Sequence, residues 1–301
     1  MEESSANKSK VVKLIKLLLK ITVSAACLWY VSTKINFAEV FAALKTAETR
    51  WLIAAFAIFI VSKLIASRRL NIYFRNINIH LPEWQNIKLY WMGMFYNLFL
   101  PGAITGDAYK IVLLSKRYTI SYKKTTAAVL LDRFSGLLSI GIIAAFYSSF
   151  VLREKVYIYI LISGAILSVP LFYFLIKKFF PDFLPSFWPT FFLGAAVQLC
   201  MLICIYFILF ALNIDVNREA YIFVFLIAAV ASVLPISIGG GLGVREFAMI
   251  EGAKYVGLGQ HTAVLISLLF YIITVICSLA GIIFVFKNPL PQQEQTLSKN
   301  N

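Results

Sequence analysis

The sequence contains little of what a metal-dependent or nucleotide-dependent enzyme needs. Only two histidines are present, His80 and His261, and the four cysteines all lie within apolar stretches. Neither set has the clustered spacing of a zinc site. No Walker or Rossmann fingerprint occurs in a strand and helix context, and no nucleophile lies beside an evident base. We therefore expect no metal, no cofactor and no enzymatic activity of the chain's own.

Charged residues are also scarce, at 14% of the 301 residues, whereas 60% are hydrophobic. The apolar residues occur in runs long enough to cross a bilayer core of roughly 30 Å, and a single soluble core stops growing near this chain length. These runs predict an all-α polytopic membrane protein. Six uninterrupted runs predict full transmembrane helices, at about 14–33, 51–67, 125–151, 156–176, 188–212 and 262–286.

Two further apolar regions, about 86–116 and 220–258, are broken near their centres by proline and glycine and contain ionisable residues. Each is either a re-entrant hairpin that returns to the side it entered from, or a pair of short crossing helices, which would give about eight spans. The whole transmembrane domain is predicted over 14–287. It follows a basic cytoplasmic N-terminus, 1–13, and precedes a tail, 288–301, that is predicted to be disordered.

The distribution of lysine and arginine predicts the orientation. If both broken regions return to their side of entry, one side holds 18 basic residues and the other six. Short cytoplasmic loops collect basic residues, so both termini are expected inside, in the plasma (bacterial inner) membrane. The net charge of +14 then reports topology and attraction to an anionic leaflet, not nucleic-acid binding. The basic N-terminal segment favours an uncleaved interfacial helix over a secretory signal.

The two broken regions share a short sequence similarity. "LPGAITGD" at 100–107 and "LPISIGGG" at 234–241 are identical at four of eight positions. The predicted topology makes the first enter from inside and the second from outside, which is the pattern of an inverted repeat. Backbone groups freed by proline and glycine at membrane depth must face protein or a water-filled cavity. The alternative is a pair of kinked helices whose glycines permit close packing.

Ionisable residues lie within or beside these apolar segments. A charge deep in the bilayer costs roughly 2.5–3.5 kcal/mol, so each should have a partner or a task. Asp107 and Lys110 can meet on one helix face because they are three residues apart. Neighbours on a helix point about 100° apart, so the adjacent residues at 132–133 and at 245–246 are expected to find their partners elsewhere. The alternative is that these charges anchor helices at the cytoplasmic interface.

Three segments, "NLFLPGAITGD", "LLDRFSGL" and "LPISIGGGLGVRE", resemble the lysylphosphatidylglycerol synthase transmembrane-region family, also called flippase-like domain proteins. The resemblance covers roughly residues 10–290. It implies the membrane half of proteins that make and translocate aminoacylated phosphatidylglycerol, and of relatives appended to glycosyltransferases. The cytosolic aminoacyl-transfer domain is expected to be absent. The candidate substrate-binding residues are Asn97, Pro101, Gly102, Gly106, Asp107, Lys110, Asp132, Arg133, Ser237, Gly239, Gly240, Gly241, Gly243, Arg245 and Glu246.

Three hypotheses of function follow. In the first, the protein moves an anionic or zwitterionic lipid between leaflets. Its phosphate would meet Arg133, Arg245 and the N–H groups at 239–243, while the three candidate carboxylates neutralise the arginines or receive an amine. In the second, the protein is a membrane transferase with Asp107 or Glu246 as general base. In the third, it is a non-transporting partner of a separate synthase or glycosyltransferase. Membrane lipids are the expected ligands in each case.

Overall fold

The computed structural model describes residues 45–99, 104–233, 241, 243–286 and 290, and these residues form helices with no strand among them. This confirms the all-α prediction. The predicted first span, both termini and the tips of both broken regions lie outside the described residues. The helices are α1 (Thr49–Arg75), α2 (Glu83–Phe99), α3 (Thr105–Tyr118), α4 (Tyr122–Val151), α5 (Lys155–Phe179), α6 (Phe187–Ala211), α7 (Arg218–Ser232), α8 (Val244–Tyr255), α9 (Gln260–Leu279) and α10 (Ile282–Phe286).

Five helical segments are long and apolar enough to cross a membrane. They are α1, α4, α5, the segment Pro181–Ala211, in which a 3₁₀ turn leads into α6, and the segment Gln260–Phe286, which joins α9 to α10. Each corresponds to one of the predicted full spans, so a polytopic membrane protein is confirmed. The spans extend beyond the apolar runs. α1, for example, continues to Arg75, eight residues past the predicted end of its span at 67.

The bundle has two ends, which side-chain and backbone contacts define. At the first end, Lys124 Nζ lies 2.8 Å from Asp182 Oδ2, which joins the start of α4 to the turn before α6. At the second end, Glu48 N donates to Ala211 O at 2.9 Å, which joins the start of α1 to the last residue of α6. The first end contains the loops 76–82, 119–121 and 180–186. The second contains 152–154, 212–217 and 256–259.

The two broken regions form antiparallel helical hairpins that enter from opposite ends. α2 and α3 both meet the first end, and Gly106 of α3 lies against Gly93 of α2. α7 and α8 both meet the second end, and Gly252 of α8 lies against Val224 of α7. The longest of these four helices has 17 residues, or about 26 Å, which is less than the bilayer core.

The described helices of each hairpin end near mid-depth. Asn97, close to the end of α2, and Val233, just after α7, line one cavity together with Lys63. Lys63 is in the middle of α1, roughly 20 Å from either helix end. Of the two alternatives for the broken regions, the structure therefore has the re-entrant hairpins.

The order of elements repeats with inverted direction. A long helix, a hairpin and a second long helix follow one another as α1, α2–α3, α4, and again as α6, α7–α8, α9. The equivalent helices α1 and α6 pack antiparallel along their length, with Ser62 Oγ 3.2 Å from Met201 Sδ and the Arg69 guanidinium beside Gly194. This arrangement supports the inverted repeat that the short sequence similarity suggested.

Candidate functional site

The buried charges line two adjoining cavities. The first, here called the charged chamber, has a volume of about 310 Å³ and lies between α1, α2, α3, α4 and α6. The second, the inner chamber, has a volume of about 280 Å³ and lies between α1, α6, α7 and α9. Five residues line both chambers: Lys63, Ile140, Val197, Gln198 and Val233. The two chambers are therefore neighbours that share one wall.

Asp107 is the centre of the first ionic cluster. Lys110 Nζ lies 2.7 Å from Asp107 Oδ1, as the three-residue spacing predicted. Arg133 of α4 donates through Nε and Nη2 to the other carboxylate oxygen. One carboxylate thus faces two cations. Lys110 is almost fully buried, so it belongs to the chamber and not to an interfacial anchor.

Two glycines and one asparagine build the hairpin that carries this cluster. A Cβ atom at Gly106 would lie 2.0 Å from the carbonyl oxygen of Gly93, so the two helices cross in direct backbone contact. A Cβ atom at Gly93 would lie 2.8 Å from Lys110 Cε. Asn97 Oδ1 accepts a hydrogen bond of 2.8 Å from Gly106 N, which satisfies a donor in the first turn of α3. The candidate residues Asn97 and Gly106 therefore position the charges.

Asp132 pairs with Arg69, a residue outside the candidate set. Arg69 Nε donates to Asp132 Oδ1 at 2.7 Å, and both side chains are buried. Space for the guanidinium comes from Gly136 and Gly194, where an added Cβ atom would lie 3.5 and 3.2 Å from Arg69 Nη1. That nitrogen has no hydrogen-bond partner among the described residues. The prediction that Asp132 would find its partner elsewhere than at Arg133 is confirmed.

Arg245 and Glu246 form a cluster of their own, and here the prediction from helix geometry was wrong. Arg245 Nη2 lies 3.0 Å from Glu246 Oε1, although adjacent helical residues point about 100° apart. Both long side chains bend towards Ser267 of α9. Its hydroxyl accepts from Arg245 Nε at 2.8 Å and donates to Glu246 Oε1 at 2.6 Å. Ser267 of α9 thus holds the side chains of the two neighbouring residues together.

Glu246 neutralises Arg245, which is one of the two roles expected for it. Its second carboxylate oxygen accepts from Gly243 N at 2.7 Å, so that N–H is not available to a phosphate. The Glu246 residue is 1% exposed, so its carboxylate is buried within this cluster. The Arg245 guanidinium lies over the ring of Phe270, 5.2 Å from its centroid. The cluster therefore secures α8 against α9.

Lys63 is the functional candidate that the sequence reasoning missed. It lines both chambers, and its Nζ lies 4.3 Å from the centroid of the Phe59 ring and 3.9 Å from Met201 Sδ. No carboxylate of the described residues lies within ion-pair distance of it. The signal was present, because a lysine within an apolar span is a functional candidate by default.

The structure describes ten of the fifteen candidate residues. Asn97, Asp107, Lys110, Asp132 and Arg133 line the charged chamber, and Gly106 supports its wall. Arg245 lines the inner chamber, with Glu246 and Gly243 beneath it, and Arg133 lines the adjoining charged chamber, so a phosphate site shared by the two arginines stays a prediction. Gly241 packs on Ser232. The others, Pro101, Gly102, Ser237, Gly239 and Gly240, lie outside the described residues.

These features define the class of the protein. Long apolar helices surround two opposed half-depth hairpins, and ionised side chains line cavities between them. The protein is a polytopic helical membrane protein with an internal polar site.

The chain belongs to the family described as the lysylphosphatidylglycerol synthase TM region, whose sequence model matches residues 17–184 and 177–281. The expected family is thereby confirmed. The chain is also similar to UPF0104 membrane protein PH1989 of Pyrococcus horikoshii, with 29% identity over 127 residues. That match covers 41% of this chain and only 38% of the relative's length. Family and fold together establish a multi-pass membrane protein of a family associated with lipid modification or transport.

Proposed function

We propose that the protein moves a polar lipid between the two leaflets, with the lipid headgroup passing through the charged chamber. The proposal rests on one observation. Asn97 and Val233, from hairpins that enter at opposite ends, both line one charged cavity at mid-depth. In transporters built on inverted repeats, broken helices meet at the substrate site near the midplane. Rocking of one repeat against the other then opens the site to alternate sides.

A lipid-facing groove beside the chamber fits the acyl chains of the same lipid. The groove lies between α4 and α5, has a volume of about 450 Å³, and is lined mainly by apolar residues, among them Phe134, Leu138 and Ile160. Leu137 lines both the groove and the charged chamber. A headgroup in the chamber could therefore keep its chains in a hydrocarbon environment, which avoids the cost of exposing them to water.

Arg133 is the charged side chain best placed to meet an entering headgroup. It precedes Phe134 of the groove, and its side chain is 32% exposed, whereas the Asp107 side chain that it contacts is 9% exposed. Arginine presents several donors in a planar fork that matches phosphate geometry. We therefore assign the first headgroup contact to Arg133.

We also propose an orientation for the bundle. The first end carries an excess of basic residues, including Lys116, Arg117, Lys123, Lys177 and Lys178, while basic and acidic residues are mixed at the second end. Because short cytoplasmic loops collect lysine and arginine, the first end is assigned to the cytoplasm. The α2–α3 hairpin would then enter from inside and the α7–α8 hairpin from outside.

The test is leaflet exchange in liposomes that contain only the purified protein and fluorescent lipids. The wild-type protein is expected to speed the exchange of at least one phospholipid above the rate in protein-free liposomes. A hydrogen bond to a charged group contributes about 1.5–3 kcal/mol, so Arg133→Gln should slow this exchange roughly 10- to 100-fold.

The matched control is Lys124→Gln, which removes a basic residue from an exposed pair at the first end and should leave exchange unchanged. Exchange equal to that of protein-free liposomes, for anionic, zwitterionic and cationic lipids alike, would refute transport. That result would favour the hypothesis of a non-transporting partner. Activity in liposomes of the single protein would, conversely, show that no partner is required.

A further inference from the structure

The two chambers contain more positive than negative charge. The cations that line them are Lys63, Arg69, Lys110, Arg133 and Arg245. The carboxylates within or beneath them are Asp107, Asp132 and Glu246. Five cations against three carboxylates leave two positive charges in excess among the described residues.

The excess can be assigned to particular groups. Asp132 is matched by Arg69, and Glu246 by Arg245. Asp107 is shared by two cations, so its cluster retains one positive charge. The second excess charge is that of Lys63, whose Nζ lies near the Phe59 ring and Met201 Sδ and within ion-pair distance of no carboxylate of the described residues.

Several segments outside the described residues contain no carboxylate that could match this excess. The undescribed hairpin tips, 100–103, 234–240 and 242, contain no aspartate or glutamate, and neither does the predicted first span at 14–33. An uncompensated charge at membrane depth is expensive, and the cost falls when an anion occupies the cavity. The charge balance of the site thus calls for an anionic ligand.

We propose, on the basis of the transport function above, that the lipid substrate carries a terminal phosphate group and that Lys63 is its common ligand in both chambers. A phosphomonoester carries a charge of about −1.5 to −2 at neutral pH, which matches the excess. Arg133 and Lys110 hold the phosphate in the charged chamber, and Lys63 retains contact as it passes into the inner chamber. Lys63 lines the shared wall, so the headgroup is never without a counter-ion.

Lipid binding tests this assignment independently of transport. Purified protein is titrated in detergent with phosphatidic acid, phosphatidylglycerol and phosphatidylcholine, and bound lipid is counted by native mass spectrometry. Phosphatidic acid is expected to bind at least tenfold more tightly than phosphatidylcholine, with phosphatidylglycerol between them. Lys63→Gln should reduce phosphatidic acid binding about tenfold or more and leave phosphatidylcholine binding unchanged, whereas Lys63→Arg should retain the preference. Lys124→Gln, at the first end, is the control.

The outcomes separate this inference from the transport proposal. If the wild-type protein binds the three lipids equally, the phosphate assignment is overturned and no variant is needed. If Lys63→Gln binds phosphatidic acid as tightly as the wild-type protein does, the role of Lys63 is overturned. Inorganic phosphate that binds as tightly as phosphatidic acid would show that the site takes a free ion. Selective binding without leaflet exchange would leave the phosphate site standing and refute transport. If the protein exchanges phosphatidylcholine as fast as phosphatidic acid, the phosphate assignment is refuted and transport is left standing.

Discussion

The pair formed by Arg69 and Asp132 gives the sharpest prediction of stability. Their contact is 2.7 Å, and the side chains are 6% and 12% exposed. Asp132→Leu leaves the guanidinium buried without a carboxylate, and Arg69→Met leaves the carboxylate buried without a cation. Breaking a buried ion pair by removing one partner costs about 3–5 kcal/mol. Each single variant should therefore lose about that much free energy of unfolding.

The double variant Arg69→Met, Asp132→Leu should behave differently. An apolar replacement of a whole buried ion pair is often neutral or stabilising, because both desolvation costs disappear together. We expect its free energy of unfolding to lie within about 1.5 kcal/mol of the wild-type value, although one of the chamber's cations is lost. The coupling between the two sites should then be at least 3 kcal/mol in magnitude.

The assay is reversible unfolding of the purified protein in mixed micelles, with SDS as denaturant and tryptophan fluorescence as the signal. Additive losses in the double variant would refute the reasoning, because additivity means that the two side chains do not interact. Losses below about 1 kcal/mol in both single variants would refute it as well, since that is the range of a solvated pair.

Three further predictions concern the hairpins and the orientation. Gly106→Ala should force the first hairpin apart, because its Cβ atom would lie 2.0 Å from a backbone oxygen, and leaflet exchange should fall to the background rate. Ser267→Ala should lower the free energy of unfolding by about 1–3 kcal/mol, measured by SDS titration, because Glu246 loses a buried hydrogen bond of 2.6 Å. In spheroplasts, a membrane-impermeant thiol reagent should label Arg153→Cys, whereas Lys124→Cys should react only after lysis.

Each prediction has a matched control or a contrary outcome. Gly141→Ala adds a methyl group to a helix where nothing lies within 4 Å of the Cβ position, so its free energy of unfolding should not fall, whereas that of Gly106→Ala should. Ser163→Ala removes an exposed hydroxyl that bonds only to its own helix, and it should cost less than Ser267→Ala. Labelling of Lys124→Cys in intact spheroplasts would invert the proposed orientation.

Much of the architecture could be predicted from the order of residues alone. Apolar runs about 20 residues long identify spans, because the thickness of the bilayer sets the length of a helix. Proline and glycine inside two such regions marked the breaks, and the structure places both hairpins there. The contact of Asp107 with Lys110 followed from a three-residue spacing on one helix. These features depend on local geometry and on the solvent.

The partners of the other charges could not be predicted in this way. The predicted span ends at 67, which leaves Arg69 in a loop, yet α1 continues and carries it to Asp132, 63 residues further along the chain. The meeting of Arg245 with Glu246 depends on Ser267 of α9, which bends both side chains to one point. Residue spacing predicts contacts within one helix, whereas each of these contacts depends on a residue of another helix.

The residues alone therefore determined a membrane protein with two interrupted helices, because hydropathy and backbone hydrogen bonding act along the chain. Tertiary structure decided which charges neutralise one another, which remain in excess, and that a single lysine lies on the wall between two cavities. Those outcomes depend on how each helix is rotated about its axis and how deeply it is set against its neighbours. The mean hydropathy of a span is the same whichever way the helix is turned, so the sequence does not predict the rotation. The packing of the helices against one another sets it.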